Sequence, residues 1–186
     1  MKQTMTIATA GATRDFFELF GLPDSYDIDL PQLSSRYRKL QATVHPDKFA
    51  SASDLERRLS VQNSALINEA YQTLRHPLSR AQYMLQLRGA DLSTESSAPM
   101  DPEFLMQQMR LREELERVRS HAQPMTLLDE IAREIDQALA VQISAIKILF
   151  SEKENPNIPK MTDLVRRMQF MYKLQQDVLS LEEEYV

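Results

Sequence analysis

An all-α protein is what this sequence predicts, and three observations predict it. Only 3 Gly stand against 9 Pro and 10 Met in 186 residues, which disfavours hairpin turns and Gly-rich phosphate loops and suits long helices. Apolar residues recur at spacings of three and four along most of the chain, and no stretch alternates with period two. With 42% hydrophobic and 26% charged residues, the chain has the balance of a folded protein that buries one moderate core or two small ones.

Residues 1–13 contain no apolar run of signal-peptide length and read as a flexible tail. A short helix is expected around Phe16–Phe20. From Leu30 to Val44 the positions Leu30, Leu33, Tyr37, Leu40 and Val44 line one helical face. A second such face runs through Ile67, Ala70, Tyr71 and Leu74, and Pro77 closes it because proline lacks an amide hydrogen and restricts its predecessor. These two helices should pack antiparallel. A further helix over Leu78–Leu87 stops at Gly89, so four helices over residues 14–89 make a first unit. Residues 90–100 are Ser-rich and aperiodic, the composition of a linker.

Residues 101–186 form a second unit of three helices. Asp101 and Pro102 supply a helix start. Leu128, Ile131, Ile135, Leu139, Gln142, Ile146, Leu149 and Phe150 keep helical spacing over about six turns and predict the spine of a three-helix bundle. The segment Asn155–Pro159 breaks the chain, and Leu164, Met168, Met171, Val178 and Leu179 give the last helix its core face.

Composition excludes several chemistries. There is no Cys, hence no disulfide, zinc-thiolate site or thiolate ligation of an iron-sulfur cluster, and no metal or cofactor is expected. No run approaches the roughly 20 apolar residues of a membrane span, so the chain reads as a cytoplasmic protein without a membrane partner. Charge is uneven: residues 1–89 carry 11 Lys and Arg against 9 Asp and Glu, and residues 90–186 carry 11 against 18. Two units with different partners fit that asymmetry.

The stretch TVHPDKF at 43–49 ends the first long helix. A metal site needs three or four ligands together, and this loop offers one imidazole and one carboxylate. Catalysis by His45 and Asp47 would need a nucleophile or a substrate pocket, which two helices and a polar loop do not evidently supply; a small hydrolase is the distant rival reading. Taken alone, the loop reads first as a helix stop, with Pro46 ending the helix, Asp47 capping the turn after it and His45 a solvated surface residue, since a tripeptide match is weak evidence. Its context adds charge. Arg36, Arg38 and Lys39 lie between Leu30 and Pro46 with no acid among them, and projection at 100° per residue puts His45 within about 20° of Arg38. Weak overall basicity and the lack of interleaved aromatics argue against nucleic acid and for an acidic protein partner.

DFFELFGL, the basic helix ending in HPDKF, and INEAYQTLRHPLSRAQYML together resemble a J domain, the module that docks on DnaK-type chaperones. FLMQQMRLREELE at 104–116 and the three-helix tail resemble the C-terminal domain of HscB-type co-chaperones of iron-sulfur cluster assembly. The resemblance implies an N-terminal J domain, an antiparallel helical hairpin with two short helices, plus a C-terminal three-helix bundle. It implies that His45, Pro46 and Asp47 trigger ATP hydrolysis in an HscA-like chaperone, that Arg36, Arg38 and Lys39 form the docking strip, and that this chain is itself no enzyme. A J protein serving another client is the alternative.

The C-terminal unit carries a second apolar face. Phe104, Leu111, Leu115 and Val118 share one side of their helix, whereas Leu105, Met106 and Met109 fall nearly opposite, with Glu113 among them. Phe170, Leu174 and Leu181 likewise stand some 120° or more from the expected core face of the last helix. Either these helices are sandwiched between neighbours or the stripe is a binding patch, for which methionines are suited. The resemblance implies the latter, an IscU-type scaffold site at Leu105, Met106, Met109, Glu113 and Phe170. Arg110 departs from the acid expected at its position.

Overall fold

The computed structural model describes residues 15–92, 101–152 and 156–185. The tail at 1–13, residues 93–100 of the linker and the break at Asn155 lie outside them. Packing divides the chain into two compact units: the described residues 15–24 and 28–75 in one, and 25–27 with those from 76 onward in the other.

In the first unit, α1 (Phe16–Phe20) buries Phe17 and Phe20. It starts where the Asp15 carboxylate accepts the Phe17 N–H at 3.0 Å. It ends at Gly21, whose φ of 59° is left-handed. The Arg36 guanidinium donates to the Phe20 carbonyl at 2.6 Å and to the Gly21 carbonyl, satisfying acceptors that the helix end leaves open. A Cβ at position 21 would stand 3.1 Å from Arg36 Nη1, so both conformation and space favour glycine.

Helix α2 (Leu30–Val44) is capped by Asp29, which accepts the Gln32 N–H at 2.8 Å. Leu33 is fully buried and Val44 nearly so, while Tyr37 and Leu40 are half-buried. Leu30, expected on the core face, is 42% exposed because it sits at the very start of the helix. Helix α3 (Asp54–Arg75) begins well before the periodic stretch from Ile67. Its start is a reciprocal cap: Glu56 Oε2 accepts from the Ser53 N–H at 2.9 Å and its hydroxyl at 2.6 Å, and the Ser53 hydroxyl accepts the Glu56 N–H at 3.3 Å. The same bonds hold the Glu56 carboxyl below its usual range, the Ser53 hydroxyl being the main cause.

In the second unit, α4 (Pro77–Leu87), α5 (Pro102–Arg117), α6 (Pro124–Ser151) and α7 (Ile158–Glu183) pack together, with α7 touching the other three. By packing, α4 goes with these helices and not with those preceding it in sequence. Its buried face is Ala81, Met84 and Leu85, with Arg80 beside them. Residues 25–27 lie on this unit. Tyr26 stacks on Phe150 at 5.3 Å, Arg80 lies 5.2 Å from the Tyr26 ring, and Arg88 lies 4.6 Å from the Phe150 ring. Arg80 also donates to the Tyr26 carbonyl at 2.6 Å, and Lys147 pairs with Asp27 at 2.6 Å.

The spine of α6 is as expected, with all eight predicted positions buried. The core of α7 is not. It comprises Met161, Val165, Met168, Met171, Leu174 and Val178, so Leu174 belongs to the core and Leu179 is 47% exposed. With three helices packed against α7, its buried stripe moves around the axis along the 26 residues, and a single face drawn through the sequence falls out of phase. No strand occurs among the described residues.

Candidate functional site

The hairpin of α2 and α3 is held together toward its connecting turn by a stacked ring pair and a run of polar contacts. Tyr37 and Tyr71 stack at 4.1 Å, the Tyr37 hydroxyl donates to Asn68 Oδ1 at 2.8 Å, and Gln41 Nε2 donates to Asn68 Oδ1 and to the Ser64 carbonyl at 2.6 and 3.1 Å. Next along is Ser60, 3% exposed, whose hydroxyl donates to the Val44 carbonyl at 2.6 Å. That bond fixes the last residue of α2, immediately before His45. The turn beyond it is therefore carried on a rigid base.

At His45 the backbone leaves the helical region, with ψ at 128°, and residues Pro46–Phe49 form one 3-10 turn. Pro46 occupies the first position, where its missing N–H costs nothing. His45 Nδ1 accepts the Asp47 N–H at 3.3 Å. Asp47 Oδ2 is 3.4 Å from the same nitrogen, but a lone pair engaged by an N–H leaves no proton there for the carboxylate. Among the described residues no Lys or Arg pairs with Asp47, whose side chain is 89% exposed. No cluster of three or more potential metal ligands occurs among the described residues, at this turn or elsewhere.

Of the basic strip, Arg38 and Lys39 are exposed and project from α2. Arg36 is half-buried and held by the end of α1. Sequence periodicity does not single out Ser53, Glu56 or Ser60. The S-x-x-E spacing at 53–56 is a legible signal for the α3 start; nothing local marks Ser60, whose partner is 16 residues away.

On the second unit, Leu105, Met106 and Met109 are 42%, 64% and 63% exposed, and Glu113 is exposed beside them. They are not packed inside the bundle. Phe170 is half-buried: Phe104 meets its ring edge-on at 6.0 Å and the Arg112 guanidinium lies 5.0 Å from its centre. Neither contact is readable from the sequence. Arg110 is bound within the unit, to Glu114 at 3.1 Å and to Glu134 of α6. The hydrogen bond from Arg110 holds the Glu134 carboxyl below its usual range.

An antiparallel helical hairpin that presents an exposed His-Pro-Asp turn, joined in one chain to a separate helical bundle, defines a J-domain co-chaperone. Residues 100–179 match the family model described as the HSCB C-terminal oligomerisation domain. The chain is 41% identical over 169 residues to the co-chaperone protein HscB homolog of Shewanella pealeana, covering 91% of this chain and 97% of the relative. Against the homolog of Shewanella halifaxensis it is 42% identical over 170 residues, with the same coverage. Among solved structures it is similar to the chaperone HscB from Vibrio cholerae, at a TM-score of 0.81 and 38% identity, covering 93% of this chain and 100% of that one. It is also similar to human co-chaperone protein HscB, at a TM-score of 0.84 and 27% identity, covering 95% and 85%. The chain belongs to the HscB family of co-chaperones, with an N-terminal J domain and a C-terminal helical domain. No described helix is long and apolar enough to cross a membrane.

Proposed function

We propose that this chain binds an IscU-type iron-sulfur scaffold, delivers it to an HscA-like chaperone of the DnaK type in the cytoplasm, and stimulates that chaperone's ATPase to promote cluster transfer. Residues 14–89 serve as the J domain and 101–186 as the scaffold-binding domain. The observation that carries the reading is the Asp47 carboxylate, exposed on a turn anchored by Ser60 and paired with no Lys or Arg among the described residues. A rigid turn meets a chaperone cation without an ordering cost. His45 and Pro46 shape the turn, and Arg38 and Lys39, with Arg36 at the inner edge, attract an acidic chaperone surface. Hydrolysis takes place on the chaperone, so no catalytic group is assigned to this chain.

The scaffold binds on Leu105, Met106, Met109 and Glu113 of α5 with Phe170 of α7; the three apolar side chains of α5 stand exposed, and Phe170 is half-buried against Phe104 and Arg112 of α5. The description of the matched family model supports a second property, self-association through the C-terminal domain.

The test is single-turnover ATP hydrolysis by a DnaK-type chaperone, with the scaffold present. Asp47→Asn keeps the shape of the side chain and removes its charge; it is expected to abolish stimulation while helicity and melting temperature stay unchanged. Full stimulation by the folded variant would reject the reading. Stimulation that does not respond to the scaffold would instead favour a J protein for another client.

A further inference from the structure

With ten methionines and no cysteine, this chain has only thioethers to offer an oxidant as sulfur. The described methionines fall into two groups. Met84, Met161, Met168 and Met171 are at most 2% exposed and belong to the core of the second unit. Met106 and Met109 are 64% and 63% exposed and stand one turn apart on α5, and Met125 at the start of α6 is 40% exposed. Met1, Met5 and Met100 lie outside the described residues.

Exposure decides which thioethers an oxidant reaches. Hydrogen peroxide transfers one oxygen atom to the sulfur: the O–O bond breaks, an S–O bond forms, the sulfur loses two electrons and water leaves. The sulfoxide replaces an adaptable apolar side chain with a polar one. On a free surface water solvates the new oxygen, and the fold is undisturbed. Beneath a docked protein the same oxygen needs a donor. Arg110, one turn beyond Met106, is bound to Glu114 at 3.1 Å and to Glu134, and Arg112, beyond Met109, lies 5.0 Å from the centre of the Phe170 ring. Glu113, the exposed neighbour of Met109 one turn on, is ionised at neutral pH and accepts only. Neither guanidinium is a ready donor to a sulfoxide, and the carboxylate cannot be one.

We infer that Met106 and Met109 are a reversible oxidation site for hydrogen peroxide, and that their conversion to sulfoxides releases the iron-sulfur scaffold from α5 while the bundle stays folded. The inference rests on the scaffold reading of this face and adds a modification that regulates it. Burying an unbonded polar oxygen at such a position weakens binding about tenfold or more. Methionine sulfoxide reductases reverse the step: two thiols are oxidised to a disulfide, the sulfoxide oxygen leaves as water and the thioether returns. Each reductase takes one sulfoxide epimer, so full recovery needs both. The four core methionines are out of reach of the oxidant, which is why the switch acts on binding and not on folding.

The experiment treats the full chain with hydrogen peroxide, removes the peroxide with catalase, and follows sulfoxide at each methionine by peptide mass spectrometry, with circular dichroism on the same samples. Met106 and Met109 are expected to oxidise well before Met84, Met161, Met168 and Met171, with helicity unchanged. Calorimetric titration with cluster-free scaffold, added only after the peroxide is gone, is expected to show affinity lower by about tenfold or more, restored by the two reductases with dithiothreitol. Met125→Leu loses affinity on oxidation as the wild type does. The double variant Met106→Leu, Met109→Leu, whatever its starting affinity, gives the same titration before and after peroxide. Undiminished affinity in wild type oxidised at both positions overturns the switch and leaves the scaffold reading standing. Loss of affinity on oxidation of the double variant places the sensitivity elsewhere and also overturns it. Oxidation of the core methionines at the same rate, with loss of helicity, makes released scaffold a result of unfolding and overturns it too. Absence of binding before any oxidation removes the scaffold reading, and this inference with it.

Discussion

Tyr26 is 3% exposed and lies between Phe150 on one side and Arg80 on the other. Its hydroxyl donates to the Pro77 carbonyl at 3.2 Å, a bond that exists only while the phenol keeps its proton. Burial pushes the Tyr26 pKa up from 10.0 to about 12, against the lowering influence of Arg80. A phenol whose folded pKa is raised stabilises the protein fully below its unfolded value of 10.0, and that contribution is lost as pH rises through about 12. The displacement corresponds to about 2 to 3 kcal/mol. Melting temperature should accordingly fall between pH 10 and 12, and Tyr26→Phe should flatten that fall while costing about 1 to 3 kcal/mol at neutral pH, where the Pro77 carbonyl loses its donor. Tyrosinate absorbance followed with pH provides the check, since one tyrosine fewer should titrate late in the variant.

The α2–α3 hairpin shows why one element is legible in sequence and another only in part. Helix α2 is readable because Leu33 and Val44 repeat on one buried face and Asp29 and Pro31 announce its start. The first half of α3 is not, since Leu55 and Val61 are 67% and 56% exposed and no apolar stripe runs through it; its beginning is set by the Ser53–Glu56 cap. In α7 the error is one of phase: Leu174 and Leu179 exchange roles because three neighbours share the helix. The His-Pro-Asp turn can be found as a motif, but its geometry depends on Ser60, a contact across the hairpin that no local pattern encodes. Removing the cap isolates the element. Ser53→Ala should lower stability by about 1 kcal/mol, as loss of a serine N-cap usually does. Amide exchange should accelerate in the first turn of α3 and not in the buried turn around Ile67, Ala70 and Leu74. Uniform acceleration over the whole helix would mean that the cap governs global unfolding and not the helix start.

For the molecule as a whole, the proposed function gives two partners two surfaces of opposite physical character, and that difference can be measured on one set of proteins. Arg38 and Lys39 are exposed, so if they carry the proposed chaperone docking its association rate should fall as salt rises, with screening over about 8 Å at physiological ionic strength. The proposed scaffold face, with Leu105, Met106 and Met109 exposed, is apolar, and binding there should respond little to salt. Leu105 and Phe170 then test whether exposure or burial governs that face. Leu105 is 42% exposed, so Leu105→Ala leaves a small cavity at most and should scarcely move the melting temperature, yet cost roughly 1 to 4 kcal/mol of scaffold binding if it is a central anchor. Phe170 touches Phe104 and Arg112, so Phe170→Ala should cost both scaffold affinity and some stability. Calorimetric titration with the scaffold and thermal melting of the same two variants separate these quantities. Leu105 is the decisive position because internal packing predicts the reverse for it: a clear loss of stability and unchanged affinity of the folded fraction. That pattern would remove Leu105 from the scaffold face, whereas unchanged melting with weakened titration would place the binding energy where the apolar surface is exposed.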